Sequence, residues 1–349
     1  MVLPEPSVQA TTKKFSQSIL ITWAYCHTIS IRTMLIPRTY NLERIKGEGM
    51  LLKLKGLIFL CIYVVVIAFF ANVALAVSFK DYDEAVSAGK KIRIEGVSQG
   101  DGENLDALLY VPSGPGPHPA FVALHGAGGI FPYQLWWARE LSKKGFVVLF
   151  IDHYCTRGYL CEHATDDSDI SRGNIMRSWQ TVSPKQRVMD ATAGYNWLSN
   201  QNYIKKNKIG LIGWSWGASA ALFAHKVSGR LSLPNGGFKA TIAFYPNLKY
   251  VIDKPEWERT GPIKQPILIL YGKDDSLESD EAYDVLKSSG FPAPIKILGF
   301  EGAVRKFDEL GDFRLKTHPS VGDFAKGFQK KAFERSVLEV NNFLAEYMN

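Results

Sequence analysis

Lys208-Ile209-Gly210-Leu211-Ile212-Gly213-Trp214-Ser215-Trp216-Gly217-Ala218-Ser219-Ala220-Ala221-Leu222 changes character at its centre. Lys208–Ile212 reads as a buried strand, and the alanine-rich stretch from about Ala218 to Lys226 reads as a helix. Between them lies Gly213-Trp214-Ser215-Trp216-Gly217, a G-x-S-x-G turn in the strand–turn–helix setting that gives this pattern chemical meaning. A turn this tight leaves no room for side chains at its flanks, hence the two glycines. It lifts the Ser215 hydroxyl above the sheet edge and aims the first N–H groups of the new helix at the place where negative charge would develop. Ser215 is the candidate nucleophile, and the Trp216 amide is a candidate oxyanion donor.

The surrounding chain alternates strands with helices. Lys91–Val97, Leu105–Val111, His118–Leu124, Phe146–Ile151, Ala240–Tyr245, Ile267–Tyr271 and Pro294–Leu298 read as further strands. Helical spacing runs through Pro132–Lys144, Glu281–Ser288 and Ala325–Tyr347, and Ser183-Pro184 opens another helix with a capping residue followed by proline. Such alternation implies right-handed βαβ crossovers, and so an α/β fold with a mostly parallel central sheet and helices on both faces. One domain is expected, about residues 78–349.

Two more segments end strands with chemistry. His125-Gly126-Ala127-Gly128-Gly129 has small residues that let the backbone approach a substrate, and Ala127 is the expected second oxyanion amide. The dinucleotide pattern G-x-G-x-x-G is absent there, and no cofactor or metal is implied. Gly272-Lys273-Asp274-Asp275 places carboxylates just past a late strand, where an acid orients an imidazole. Asp275 is preferred over Asp274 because its spacing from Gly272 is the usual one.

These motifs, with Asp152–Gly158 (D-x-x-x-x-R-G) and Arg187–Asp190 (R-x-x-D), resemble the dienelactone hydrolase family of the α/β-hydrolase fold. The resemblance covers about Gly102 to the C-terminus. It implies a Ser–Asp–His triad in that chain order and a small-molecule ester or lactone as substrate. The founding members carry cysteine where Ser215 stands, so their lactone specificity is not implied. The family's last motif, aromatic-x-G-A-x-H-x-F-D, reads here Phe300-Glu301-Gly302-Ala303-Val304-Arg305-Lys306-Phe307-Asp308. Arginine stands where the catalytic histidine is expected, and a guanidinium takes no proton from serine near neutral pH. His318, 13 residues further on, is the candidate replacement, with His125 and His153 behind it. Arg305 and Arg157 are candidate ligands for a substrate carboxylate. A catalytically impaired chain that keeps the pocket for binding, as a periplasmic binding or interaction module, is the alternative reading.

The 349 residues are 46% hydrophobic and 21% charged, an ordinary globular composition. The net charge of +7 is concentrated in residues 1–77, which hold 8 Lys/Arg and 3 Asp/Glu. The remainder is nearly neutral, which removes the electrostatic case for nucleic-acid binding. From Met50 the sequence has a basic start at Lys53 and Lys55, an apolar run, and Ala74-Leu75-Ala76, the organisation of a signal peptide cleaved after Ala76. Residues 50–77 are read as signal peptide or signal anchor, and residues 1–49 as an over-extended or disordered start. A periplasmic or secreted location follows. Left uncleaved, residues 56–77 would anchor the chain in a membrane. Removal of the leader leaves Cys155 and Cys161, six apart and able to form a disulfide in an oxidising compartment. They sit in His153–Thr181, a polar stretch long enough to cover a pocket.

Overall fold

The structure is a computed structural model, and it describes residues 77–97, 103–159, 182–227, 233–253, 264–277, 280–288, 292–311, 314–318 and 322–349. Residues 50–76 of the expected leader and most of the expected pocket cover, including Cys161, lie outside the described residues.

An eight-stranded sheet forms the centre. Its strands are β1 (Lys90–Ile94), β2 (Leu105–Tyr110), β3 (His118–Leu124), β4 (Val147–Ile151), β5 (Ile204–Trp214), β6 (Thr241–Phe244), β7 (Ile267–Gly272) and β8 (Ile295–Phe300). They lie in the order β1-β2-β4-β3-β5-β6-β7-β8. From β4 through β8 all pairings are parallel, while β1–β2 and β2–β4 are antiparallel. The expected mostly parallel sheet with an α/β-hydrolase order is what the chain forms. Its central strands are apolar throughout because helices cover both faces. In β3, Ala120 to Leu124 are fully buried, as is every residue of β4.

The helices are α1 (Phe79–Ala88), α2 (Pro132–Lys143), α3 (Pro184–Ser199), α4 (Trp216–Val227), α5 (Leu248–Ile252), α6 (Asp280–Ser288) and α7 (Lys330–Tyr347). Helix α3 starts as its sequence dictates: the Ser183 hydroxyl accepts from the Gln186 N–H at 3.1 Å and Pro184 takes the first helical position. Helix α1, not anticipated from sequence, is closed by a reciprocal Ser78–Asp81 cap. Only Tyr82 and Ala85 are buried, an apolar stripe of two residues that is too short to read as a period. Arg139 on α2 holds it through Asp81 and Glu84.

The last predicted helix begins later than expected. Gly322–Lys326 forms β10, paired antiparallel with β9 (Arg314–His318), and α7 starts only at Lys330. Gly327, at φ 148°, makes the break between strand and helix in a conformation that L side chains rarely adopt.

Candidate active site

Chain order and sheet order part company at β3. The chain runs from β3 to β4 on one side, then crosses to β5 on the other side of β3. In an open α/β sheet this is where a crevice opens beyond the carboxyl ends of the strands. Register pairs Leu124 with Gly213, so the glycine loop after β3 and the serine turn after β5 leave the sheet side by side.

Ser215 sits at φ 53°, a left-handed conformation that costs a non-glycine residue energy. The surroundings enforce it. A Cβ on Gly217 would lie 2.1 Å from the Leu124 carbonyl oxygen, and one on Gly213 would lie 2.5 Å from the Gly217 oxygen. The Ser215 N–H is bonded to the Phe244 carbonyl at 2.9 Å, which ties the turn to β6. The first ladder bond of α4 runs from the Ser219 N–H to the Ser215 carbonyl, 3.0 Å. The N–H groups of Trp216, Gly217 and Ala218 therefore lie ahead of the helical ladder, as an oxyanion site needs.

The partner of the Ser215 hydroxyl is a guanidinium. Arg305 donates from Nη2 to Ser215 Oγ at 2.8 Å and from Nη1 to Asp275 Oδ2 at 2.7 Å. It also donates from Nη2 to the Asn247 amide oxygen. The acid is held in turn: Asp275 Oδ1 accepts from the Leu277 N–H at 3.1 Å. Local backbone pairing brings acid and guanidinium together. Asp274 N–H donates to the Ala303 carbonyl at 2.8 Å, and a Cβ on Gly272 would sit 2.2 Å from that same oxygen. The loops after β7 and β8 thus zip against each other and deliver Arg305 to Asp275. Arginine occupies the geometric place of a triad imidazole, bonded to the hydroxyl on one side and the acid on the other. It differs in chemistry, because it offers only protons.

Beneath Arg305 lies a buried polar cluster. The Tyr245 ring faces the guanidinium, with its centroid 5.6 Å from Cζ, and its hydroxyl donates to Asp308 Oδ1 at 2.7 Å. Asp308 Oδ2 accepts from the indole N–H groups of Trp137 and Trp214, both at 3.1 Å. Burial outweighs these donors and pushes the Asp308 carboxyl up to about 6.

Behind the glycine loop is a second polar group. Arg157 grips Asp190 with both terminal nitrogens, at 3.0 and 2.9 Å, and donates to the His153 carbonyl at 2.8 Å. His153 Nδ1 bonds the same carboxylate at 2.7 Å, and burial with the nearby Arg187 and Arg157 charges holds the imidazole neutral. Arg187 donates to the His125 carbonyl at 2.9 Å and to the Tyr154 hydroxyl, which donates to the Ala127 carbonyl at 2.9 Å. Arg187 is thus fully buried with its charge directed at oxygen atoms.

The site residues expected from sequence fall into three groups. Ser215, Asp275 and Arg305 come together, and the glycine loop meets them at Gly126, where an added Cβ would lie 3.3 Å from Ser215 Cβ. Arg157, read as a carboxylate ligand, is instead consumed by Asp190, because a buried carboxylate needs its fork more than solvent does. His125 and His153, the weaker candidates for the base, are engaged behind the loop. His318 ends β9 opposite Gly322, four strand residues (about 13 Å) from the Lys326–Arg314 pair. Lys326 is the residue that bridges to Arg305. The side chain of His318 lies outside the described residues. Asn247, Tyr245 and the role of Asp308 were missed. Tyr245-Pro246-Asn247 does follow a strand, as the other site residues do, but its spacing matches no motif.

A model of the dienelactone hydrolase family matches residues 105–348. The chain belongs to the dienelactone hydrolase family. Among curated relatives, it is 26% identical over 150 residues to a probable 2-oxo-3-(5-oxofuran-2-ylidene)propanoate lactonase of a Bradyrhizobium species, covering 43% of this chain and 54% of that one. The match thus spans about half the length of that lactonase. It is 25% identical over 241 residues to the carboxymethylenebutenolidase of Rhodococcus opacus, covering 65% of this chain and 85% of the other. Among solved structures, a dienelactone hydrolase-like promiscuous phosphotriesterase from metagenomic libraries superposes with a TM-score of 0.54 at 19% identity, covering 75% of this chain and all of that one. The dienelactone hydrolase family is a carboxylic ester hydrolase family, and this member presents its serine and acid with an arginine between them.

Among the described residues, no group of His, Cys, Asp and Glu could hold a metal ion, and no helix is long and apolar enough to cross a membrane.

Proposed function

We propose that the chain is an exported serine hydrolase that cleaves an ester or lactone of a small molecule through an acyl-enzyme on Ser215. The observation that carries this reading is the serine turn itself, with Ser215 at φ 53° and a Cβ on Gly217 or Gly213 falling 2.1 or 2.5 Å from a backbone oxygen. The lactone in the substrate class follows the names of the two curated relatives. Ser215 attacks the acyl carbon, the tetrahedral oxyanion rests on the amides of Ala127 and Trp216, and the ester oxygen leaves with a proton from water. Hydroxide then releases the acid. Arg305 cannot remove the serine proton, so in this reading it stabilises the alkoxide, and solvent hydroxide takes the proton. The consequence is a slow enzyme whose rate climbs with pH.

Export is supported by the order of basic start, apolar run and Ala74-Leu75-Ala76, and by Cys155, which is held in a disulfide. N-terminal sequencing of the mature protein checks it: a chain beginning at Val77 supports cleavage, and recovery of residues 1–49 removes it.

One observation favours a second reading. A donor points at Ser215 Oγ where catalysis calls for an acceptor, which suits a pocket kept for binding alone. Hydrolysis of p-nitrophenyl acetate and of a short lactone by wild type, Ser215→Ala and His318→Ala separates the readings. Activity that vanishes in Ser215→Ala supports the hydrolase. Equal inertness of wild type and Ser215→Ala assigns the chain to the binding module. A large loss in His318→Ala would return the base to that histidine and overturn the role given to hydroxide.

A further inference from the structure

The loop that supplies the first oxyanion donor is fixed from behind. A Cβ added to Gly126 would lie 3.3 Å from Ser215 Cβ and 3.8 Å from its Oγ, so this residue lies directly against the nucleophile. The next peptide joins Gly126 to Ala127. Its carbonyl oxygen contacts His125 Nδ1 at 2.7 Å and accepts from the Gly129 N–H at 3.3 Å. The tautomer of His125 follows from its other nitrogen: Nε2 accepts from the His153 N–H at 3.0 Å, so the ring proton is on Nδ1. The ring is fully buried, and burial with the nearby Arg187 charge keeps it neutral. In a trans peptide the N–H points opposite to the C=O. A carbonyl turned back towards His125 turns the Ala127 N–H forward. The following peptide is fixed in the same way, by the Tyr154 hydroxyl on the Ala127 carbonyl.

We infer that His125 is a positioning residue: its Nδ1–H holds the Gly126 carbonyl and thereby sets the Ala127 N–H to receive the oxyanion formed at Ser215. The inference rests on the reading of Ser215 as nucleophile. His125 touches no reacting atom. It acts through one peptide plane, and its own orientation is set by the His153 backbone.

Two substitutions separate the two ring nitrogens. In His125→Asn the amide nitrogen falls where Nδ1 lay and still reaches the Gly126 carbonyl, but the His153 N–H loses its acceptor. In His125→Gln the longer side chain reaches the His153 N–H and leaves the Gly126 carbonyl without its side-chain donor. A structural role would rank activity with stability. A positioning role ranks them in opposition: the Gln variant keeps the higher melting temperature yet loses kcat by about 10²-fold with KM little changed, the loss of one oxyanion donor, and the Asn variant recovers most of kcat.

Crystal structures of both variants supply a readout independent of turnover. The Gly126–Ala127 peptide is expected to keep its orientation with Asn and to rotate with Gln. A peptide that stays in place in the Gln variant, or a kcat that follows melting temperature, overturns the inference. If the peptide rotates in the Gln variant while wild type and Ser215→Ala are equally inert, the positioning of this peptide stands and the hydrolase reading is the part that fails.

Discussion

The guanidinium of Arg305 donates to the hydroxyl of Ser215 across 2.8 Å, and that hydroxyl consequently receives a hydrogen bond where a triad serine gives one. The geometry of proton transfer is present and its direction is closed. Asp275, which would orient an imidazole, neutralises a cation instead.

Restoring the imidazole reopens that direction. Arg305→His is expected to raise kcat/KM for p-nitrophenyl acetate at pH 7.5 by about 10²–10⁴-fold, the usual contribution of a positioned base. Wild type is expected to gain about tenfold per pH unit between pH 7 and 9, as a reaction first-order in hydroxide must, while the variant levels off above the histidine pKa. A wild-type profile that is flat across this range would contradict hydroxide as the base.

The pairing of Arg305 with Asp275 also governs stability. Both side chains are nearly inaccessible, at 4% and 0%. Asp275→Asn leaves a buried cation short of its partner and is expected to cost about 3–5 kcal/mol in urea unfolding. Replacing both, Asp275→Leu with Arg305→Met, is expected to recover most of that loss, because two apolar side chains need no counter-charge. A double variant no more stable than Asp275→Asn would refute this account.

Asp308 makes stability depend on pH in the direction opposite to a salt-bridged acid. Its folded pKa of about 6 lies above the unfolded 3.8. The folded state therefore holds the proton more tightly, so this group's contribution is full below 3.8 and is lost as pH rises through 6. The loss is about 1.4 kcal/mol for each pH unit separating the two values. Urea unfolding of wild type and Asp308→Asn between pH 4 and 7 measures it. The variant is expected to lose less stability than wild type over that range, and parallel curves would rule the assignment out.

Gly217→Ala tests the seat of the serine turn. The added methyl would meet the backbone oxygens of Leu124 and His125 at 2.1 and 2.5 Å, and backbone cannot step aside as a flexible side chain would. A loss of about 3 kcal/mol is expected, read as a fall in melting temperature, together with loss of Ser215 labelling by a fluorophosphonate. Wild-type stability in this variant would mean the turn packs less tightly than described.

The central architecture could be read before any coordinates because its signals are local. β3 and β4 are unbroken apolar runs, and Ser183-Pro184 caps α3 as such a pair should. The serine turn was equally legible, since each of its glycines answers a steric demand within a few residues. What escaped notice depended on distance. Asn247 and Arg305 are 58 positions apart, and Asp308 joins donors 171, 94 and 63 positions away. No periodicity announces such convergence. Arg157 misled for the same reason: its partner Asp190 lies 33 residues on, so an arginine that satisfies a buried acid reads in one dimension like one awaiting a ligand. The residue that most alters the chemistry, Arg305, was visible at once because it breaks a motif.

The seam between β3 and β5 has a consequence for how this protein could diversify. With Gly217 pressed onto the carbonyls that lead into the glycine loop, the serine turn and that loop form one rigid floor, unable to part without unseating a helix. Selection is then left to work on the walls. Changes of taste would accumulate in side chains around that floor, while the floor itself stays as it is.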